Sequence, residues 1–143
     1  MSVVQMAPAA SLEIENRWDD AHAAKLSPSE LLLYRSNLLG SDKRITNFGG
    51  GNTSAKIREK DPLTGAEVEV LWVKGSGGDL GTLKLDGFST LYMEKFLGLE
   101  KFYRSPSDGG TDNDAIMVPL YAHSAFNLNR GRDRLAAVDP SGL

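Results

Sequence analysis

The chain contains no cysteine, which excludes a disulfide framework and a thiolate metal centre and fits a reducing compartment. Histidine is nearly as scarce. His22 and His123 are the only two in 143 residues, and no pair is spaced for chelation. A metal centre needs several ligands converging on one point, so neither histidine is read as a ligand. His22 falls in a helical pattern as a surface or half-buried residue, and His123 is read as a core residue. Charge of one sign is lacking too: the formal net charge is −3, so no global field favours nucleic acid or an anionic membrane. Any bound anion must therefore be held by local geometry. Long apolar runs are absent, and no window approaches a membrane span. The N-terminus has no basic stretch followed by a sustained apolar run, so it is not a secretory signal. These absences lead to the expectation of a soluble, cytoplasmic protein. The chain shows no internal repeat and no low-complexity segment.

What is present is an ordinary globular mix, 41% hydrophobic and 24% charged, in a length that fits one domain with a real core. Residues 1–10 read as a flexible N-terminus, residues 11–129 as the folded domain, and residues 130–143 as a divergent tail. That tail is charged, with Arg130, Arg132 and Arg134 alternating, and is read as solvated.

Helical spacing of Ile14, Trp18, Ala21 and Ala24 predicts a helix over residues 12–25. A second helix has a stronger start. Ser27, Pro28 and Glu30 supply an N-cap hydroxyl, a proline at N1 and a carboxylate at N3, the elements of a capping box. Leu31, Tyr34 and Leu38 form its apolar face, and Gly40 is read as the C′ residue that ends it. Alternation then predicts a hairpin. Ala55 and Ile57 alternate with Lys56 and Arg58, and Val68, Val70 and Trp72 alternate with Glu67 and Glu69. Asp61, Pro62, Thr64 and Gly65 supply turn chemistry between the two strands. Leu83, Leu85 and Phe88 follow. Residues 91–103 read as a short strand or helix start and then a helix, offering Leu91, Phe96, Leu99 and Tyr103 to the core. Residues 105–110 read as a surface loop. Thr111, Asp112, Asn113 and Asp114 resemble the capped start of a last helix to about residue 122, which Pro119 kinks or shortens. Asp112 and Asp114 are assigned to capping rather than to acid–base work.

Two glycine-rich turns bracket the hairpin. The first reads Asn47-Phe48-Gly49-Gly50-Gly51-Asn52-Thr53-Ser54 and the second Val73-Lys74-Gly75-Ser76-Gly77-Gly78-Asp79-Leu80-Gly81. Successive backbone N–H groups in such turns can converge on one anion, and hydroxyls and amides add donors. The simpler reading is that the glycines turn the chain at strand ends. Two such turns on one hairpin, both carrying side-chain donors, favour a phosphate pocket made by Gly50, Gly51, Asn52, Thr53, Ser54, Ser76, Gly77 and Gly78. Two nucleotide motifs are rejected. A dinucleotide fingerprint would need its third glycine at position 80, which is Leu80, and a P-loop would need Gly-Lys-Ser/Thr after the glycines.

The ordered series from Gly49-Gly50-Gly51-Asn52-Thr53-Ser54 through Trp72-Val73-Lys74-Gly75-Ser76-Gly77-Gly78-Asp79-Leu80, Asp86-Gly87-Phe88 and Asn113-Asp114-Ala115-Ile116-Met117-Val118 resembles the class II aldolase/adducin family. The likeness covers roughly residues 21–129 and is nearest to the N-terminal part of bifunctional rhamnulose-1-phosphate aldolase/alcohol dehydrogenase proteins. It implies an α/β fold of three layers, α/β/α, around a mainly antiparallel sheet, of which this chain would hold the N-terminal portion. It also implies a homo-oligomer, a ketose 1-phosphate substrate, and cleavage to dihydroxyacetone phosphate and L-lactaldehyde. The family's phosphate-binding asparagine matches Asn52, with Gly51, Thr53 and Ser54 beside it. A hydroxyl–glycine pair that contacts phosphate matches Ser76 and Gly77.

Departures from the family pattern are equally specific. The family's zinc is held by a His-x-His pair and a later histidine, and none of these has a counterpart here. Its catalytic acidic residue follows the segment matching Phe126-Asn127-Leu128-Asn129, where this chain instead runs through residues 130–143. The resemblance therefore implies substrate anchoring without turnover, with no metal bound by this chain alone. A non-catalytic, adducin-like scaffold is the alternative expectation. No nucleic acid or membrane partner is expected.

Overall fold

The computed structural model describes residues 13–104 and 114–126. The expected flexible N-terminus, the 105–110 loop, the caps at 111–113 and the 130–143 tail lie outside them. Short α1 (Asp20–Ala23) precedes α2 (Pro28–Ser41). Strands β1 (Ser54–Lys60), β2 (Glu67–Lys74) and β3 (Phe88–Tyr92) follow, then α3 (Met93–Arg104) and α4 (Asp114–His123). Two single 3-10 turns, Leu80–Thr82 and Leu85–Gly87, connect β2 to β3.

The sheet has three antiparallel strands in the order β1-β2-β3. Its pattern is the one the alternation predicts. Ile57, Val70 and Trp72 are buried, while Lys56, Arg58, Glu67 and Glu69 are exposed. Leu32 of α2 joins Ile57, Val70, Trp72, Phe88 and Phe126 in one core cluster, so α2 covers that face. Each large side chain so buried contributes about 1.5–3 kcal/mol. Trp72 meets the Phe88 ring edge-on, with centroids 5.9 Å apart, and its indole N–H donates to Glu59 at 3.0 Å. Helix α3 contacts β2, β3 and α4. The chain leaving α4 returns along the free edge of β3, where Tyr92 N–H donates to Ser124 O and Phe126 N–H to Thr90 O.

Four expectations need correction. The helix over 12–25 forms only at Asp20–Ala23, because Asp19 is its N-cap: extended itself, it accepts from the amides of Ala21 and His22. Residues 13–19 are not helical and are tied to α2. Arg17 donates to Leu38 O and to the Ser41 hydroxyl, and Trp18 packs on Tyr34 at 5.2 Å. Of the apolar residues in the pattern, Trp18 is placed by this tertiary contact, while Ile14, Ala21 and Ala24 are exposed. Gly40 is not a C′ residue; α2 runs on through Ser41 to a C-cap at Asp42. His123 is exposed in the last turn of α4, where a basic group suits the helix dipole. Tyr103 is 51% exposed and lies outside the core. The capping box of α2 forms as expected, with Ser27 Oγ accepting from Glu30 N–H and Glu30 accepting from Ser27 N–H.

Candidate functional site

The hairpin register decides where the glycine turns go. Ser54 pairs with Val73, and Lys74 N–H donates to Thr53 O at 3.0 Å. The chain therefore enters β1 and leaves β2 at the same end of the sheet, with Asn52 and Ser76 both at that end. Gly51 and Gly77 take φ values of +89° and +90°, which L side chains rarely adopt. A Cβ at Gly51 would also press on Leu80 at 3.0 Å, so the first turn rests on the chain that follows the second. Gly77 and Gly78 face open space. The side chains of Asn52, Ser54 and Ser76 are exposed and make no hydrogen bond to another described residue.

Thr53 differs. Its hydroxyl lies 2.7 Å from Ser36 Oγ, which in turn donates to Leu32 O, so the Thr53 proton is directed into α2. Strand alternation sends the Ser54 side chain to the opposite face of the sheet. The hydroxyls of Thr53 and Ser54 thus do not share one concavity. Thr53 offers the site its backbone, while Asn52 and Ser76 offer free donors.

Two charged residues at this end were not singled out from the sequence. Lys74 is 7% exposed, and its ammonium donates to Gly75 O at 3.2 Å. Among the described residues no carboxylate pairs with it. A buried cation without a counter-ion is costly, and an anion bound at the glycine turn would offset that cost. The signal was legible: Lys74 continues the core-facing positions Val70 and Trp72, where a lysine is out of place. Asp79 is the second. Its Oδ1 accepts from Gly49 N–H and from Lys43 Nζ, both at 3.0 Å. The Gly49 amide first, and then Lys43, hold this carboxyl below the usual carboxylate range.

Deeper clefts lie elsewhere. One of about 310 Å³ sits between residues 14–18 and α2, and one of about 510 Å³ lies beside Asp61 and Tyr92, at the hairpin's other end. Neither is lined by the glycine turns, where Gly77 and Gly78 face open space and a ligand would be held by backbone amides. Zinc does not fit the residues described: no group of three histidine or carboxylate side chains converges among them. His22 stacks edge-on against Tyr34, and His123 lies at the end of α4.

No family model matches the chain. A protein of Bacillus subtilis (strain 168) described as the uncharacterized oxidoreductase YuxG is 47% identical over 126 residues, which make up 87% of this chain and 17% of that protein. The N-terminal class II aldolase domain of a conserved protein from Thermoplasma acidophilum is similar in structure, with a TM-score of 0.62 and 34% identity. The match covers 82% of this chain and half, 50%, of that one. The fold likeness thus extends over most of the described residues, and by it the chain belongs to the class II aldolase family.

Proposed function

We propose that the paired glycine turns bind the phosphate of a ketose 1-phosphate, rhamnulose 1-phosphate or a near relative, as the substrate-anchoring part of a zinc-dependent aldolase. In that reading Asn52 and Ser76 donate to the phosphate oxygens. Backbone amides of Gly51, Thr53, Gly77 and Gly78 line the cradle, Gly50 closes the first turn through its own amide's bond to Asn47 O at 3.0 Å, Ser54 borders the site, and Lys74 supplies charge from beneath. Holding the phosphate orients the sugar for cleavage to dihydroxyacetone phosphate and L-lactaldehyde. The chain would work in the cytoplasm as a homo-oligomer. In that reading the chain taken by itself anchors substrate without turning it over. The observation that carries the reading is the Thr53–Lys74 hydrogen bond, which brings both turns to one end of the sheet over a buried cation.

Calorimetric titration with dihydroxyacetone phosphate tests it. Binding is expected, and Asn52→Ala should weaken it by about 1.5–3 kcal/mol, the worth of a hydrogen bond to a charged group. Absence of binding by the unmodified chain overturns the proposal.

The oxidoreductase name of YuxG belongs to a protein of which this chain matches 17%. A dinucleotide role for these glycines is disfavoured on geometry. Gly75, Ser76 and Gly77 lead into a single 3-10 turn at Leu80–Thr82, not into the N-terminus of an α-helix that could face a pyrophosphate.

A further inference from the structure

We propose that Asp79 is the positioning residue of the phosphate cradle, its carboxylate clamping the Gly49 turn against the turn of Gly77 and Gly78 while Lys43 neutralises the charge it brings. The inference rests on the phosphate-binding reading above. Asp79 directly follows Gly78, and its side chain is 11% exposed. One oxygen, Oδ1, receives both the Gly49 amide and the Lys43 ammonium. Lys43 Nζ also donates to Gly40 O at 3.0 Å, which ties the clamp to the last turn of α2. The two turns are therefore joined twice, through Gly49 to Asp79 and through Gly51 packed on Leu80. The first of these links holds the Gly49 end of the turn that leads to Gly51, while the Gly50 amide closes that turn on Asn47 O at 3.0 Å.

A carboxylate beside an anion site is unfavourable unless its charge is countered. Lys43 counters it, and that gives the proposal a sign that simple stabilisation lacks. If Asp79 positions the cradle, removing it loosens the Gly49 turn and weakens phosphate binding. If Asp79 merely occupied an amide that phosphate would otherwise take, removing it would strengthen binding. Removing Lys43 alone leaves the carboxylate uncompensated and weakens binding by repulsion.

The test titrates inorganic phosphate and dihydroxyacetone phosphate into the chain and into Asp79→Ala, Asp79→Asn, Lys43→Met and the Lys43→Met/Asp79→Asn double variant. Far-UV circular dichroism and thermal melts accompany each titration. Asp79→Ala is expected to raise Kd roughly tenfold, the loss of one well-placed hydrogen bond. Asp79→Asn keeps an oxygen for the Gly49 amide and should recover most of that loss. Lys43→Met should raise Kd, and adding Asp79→Asn should restore it, because no bare carboxylate then remains. A purely structural role would shift melting temperatures without this order in Kd. Equal Kd values for all folded variants, or tighter binding by Asp79→Ala, overturn the role of Asp79 while leaving the phosphate reading standing. No binding by the unmodified chain removes both.

Discussion

Gly40 and Gly81 meet backbone to backbone: a Cβ on Gly40 would lie 2.1 Å from the Gly81 amide nitrogen. This contact seats the last turn of α2 on the 3-10 turn that follows the second glycine turn, and Asn37 reinforces it by donating to Leu80 O at 3.1 Å. Gly40→Ala should therefore destabilise the fold. Helix propensity alone would favour alanine by up to about 1 kcal/mol, but overpacking against backbone costs roughly 1–3 kcal/mol and gives no flexible side chain room to yield. Urea unfolding of the two proteins measures the difference. A variant as stable as the parent would show that α2 can move off Gly81 freely.

Lys74 makes a prediction in which stability and binding move in opposite directions. Lys74→Met keeps the length and the apolar stem but removes a buried ammonium. Stability should be unchanged or higher, because no buried charge remains to desolvate. Affinity for dihydroxyacetone phosphate should fall by about 1.5–3 kcal/mol. Thermal melts and calorimetry on the same preparations read both quantities. Loss of stability together with unchanged affinity would mean that Lys74 is a structural lysine serving Gly75 O.

How much was legible depends on whether the cause was local. The hairpin was, since Ile57 against Arg58 and Trp72 against Glu69 declare their faces by alternation, and Asp61 through Gly65 turn by their own backbone preferences. The capping box at Ser27 and Glu30 is equally local. The segment before α1 was not, because Trp18 and Arg17 are placed by Tyr34, Leu38 and Ser41, partners more than a dozen positions away. Gly40 carried two meanings, a helix end or a close approach, and the one that held depends on Gly81, forty-one positions on. In the cradle, the shared end of the hairpin followed from the strand pattern. That Thr53 turns its hydroxyl toward Ser36, and that Asp79 bridges to Gly49, depend on α2 and the first turn folding against the sheet.

At the opposite end of the hairpin, Asp61 sets an acid dependence. Its carboxylate accepts from the amides of Leu63 and Thr64 at 2.8 and 3.1 Å and from the Tyr92 hydroxyl at 2.9 Å, so it fixes the β1–β2 turn and ties it to β3. The Thr64 amide first, then that of Leu63, and the Tyr92 hydroxyl after them, hold its pKa below the ordinary 3.8. A folded-state pKa below the unfolded one means the folded state holds the proton less tightly. The stabilisation is therefore complete above 3.8 and is lost as pH falls below that value through the folded pKa. Asp61→Asn cannot titrate, so its stability should fall less steeply than the parent's between about pH 4 and pH 2, where an unshifted aspartate becomes protonated. Tyr92→Phe should keep most of the parent's slope, since the two turn amides remain. Parallel stability–pH curves for the parent and Asp61→Asn over that interval would mean that the carboxylate gains nothing from the turn.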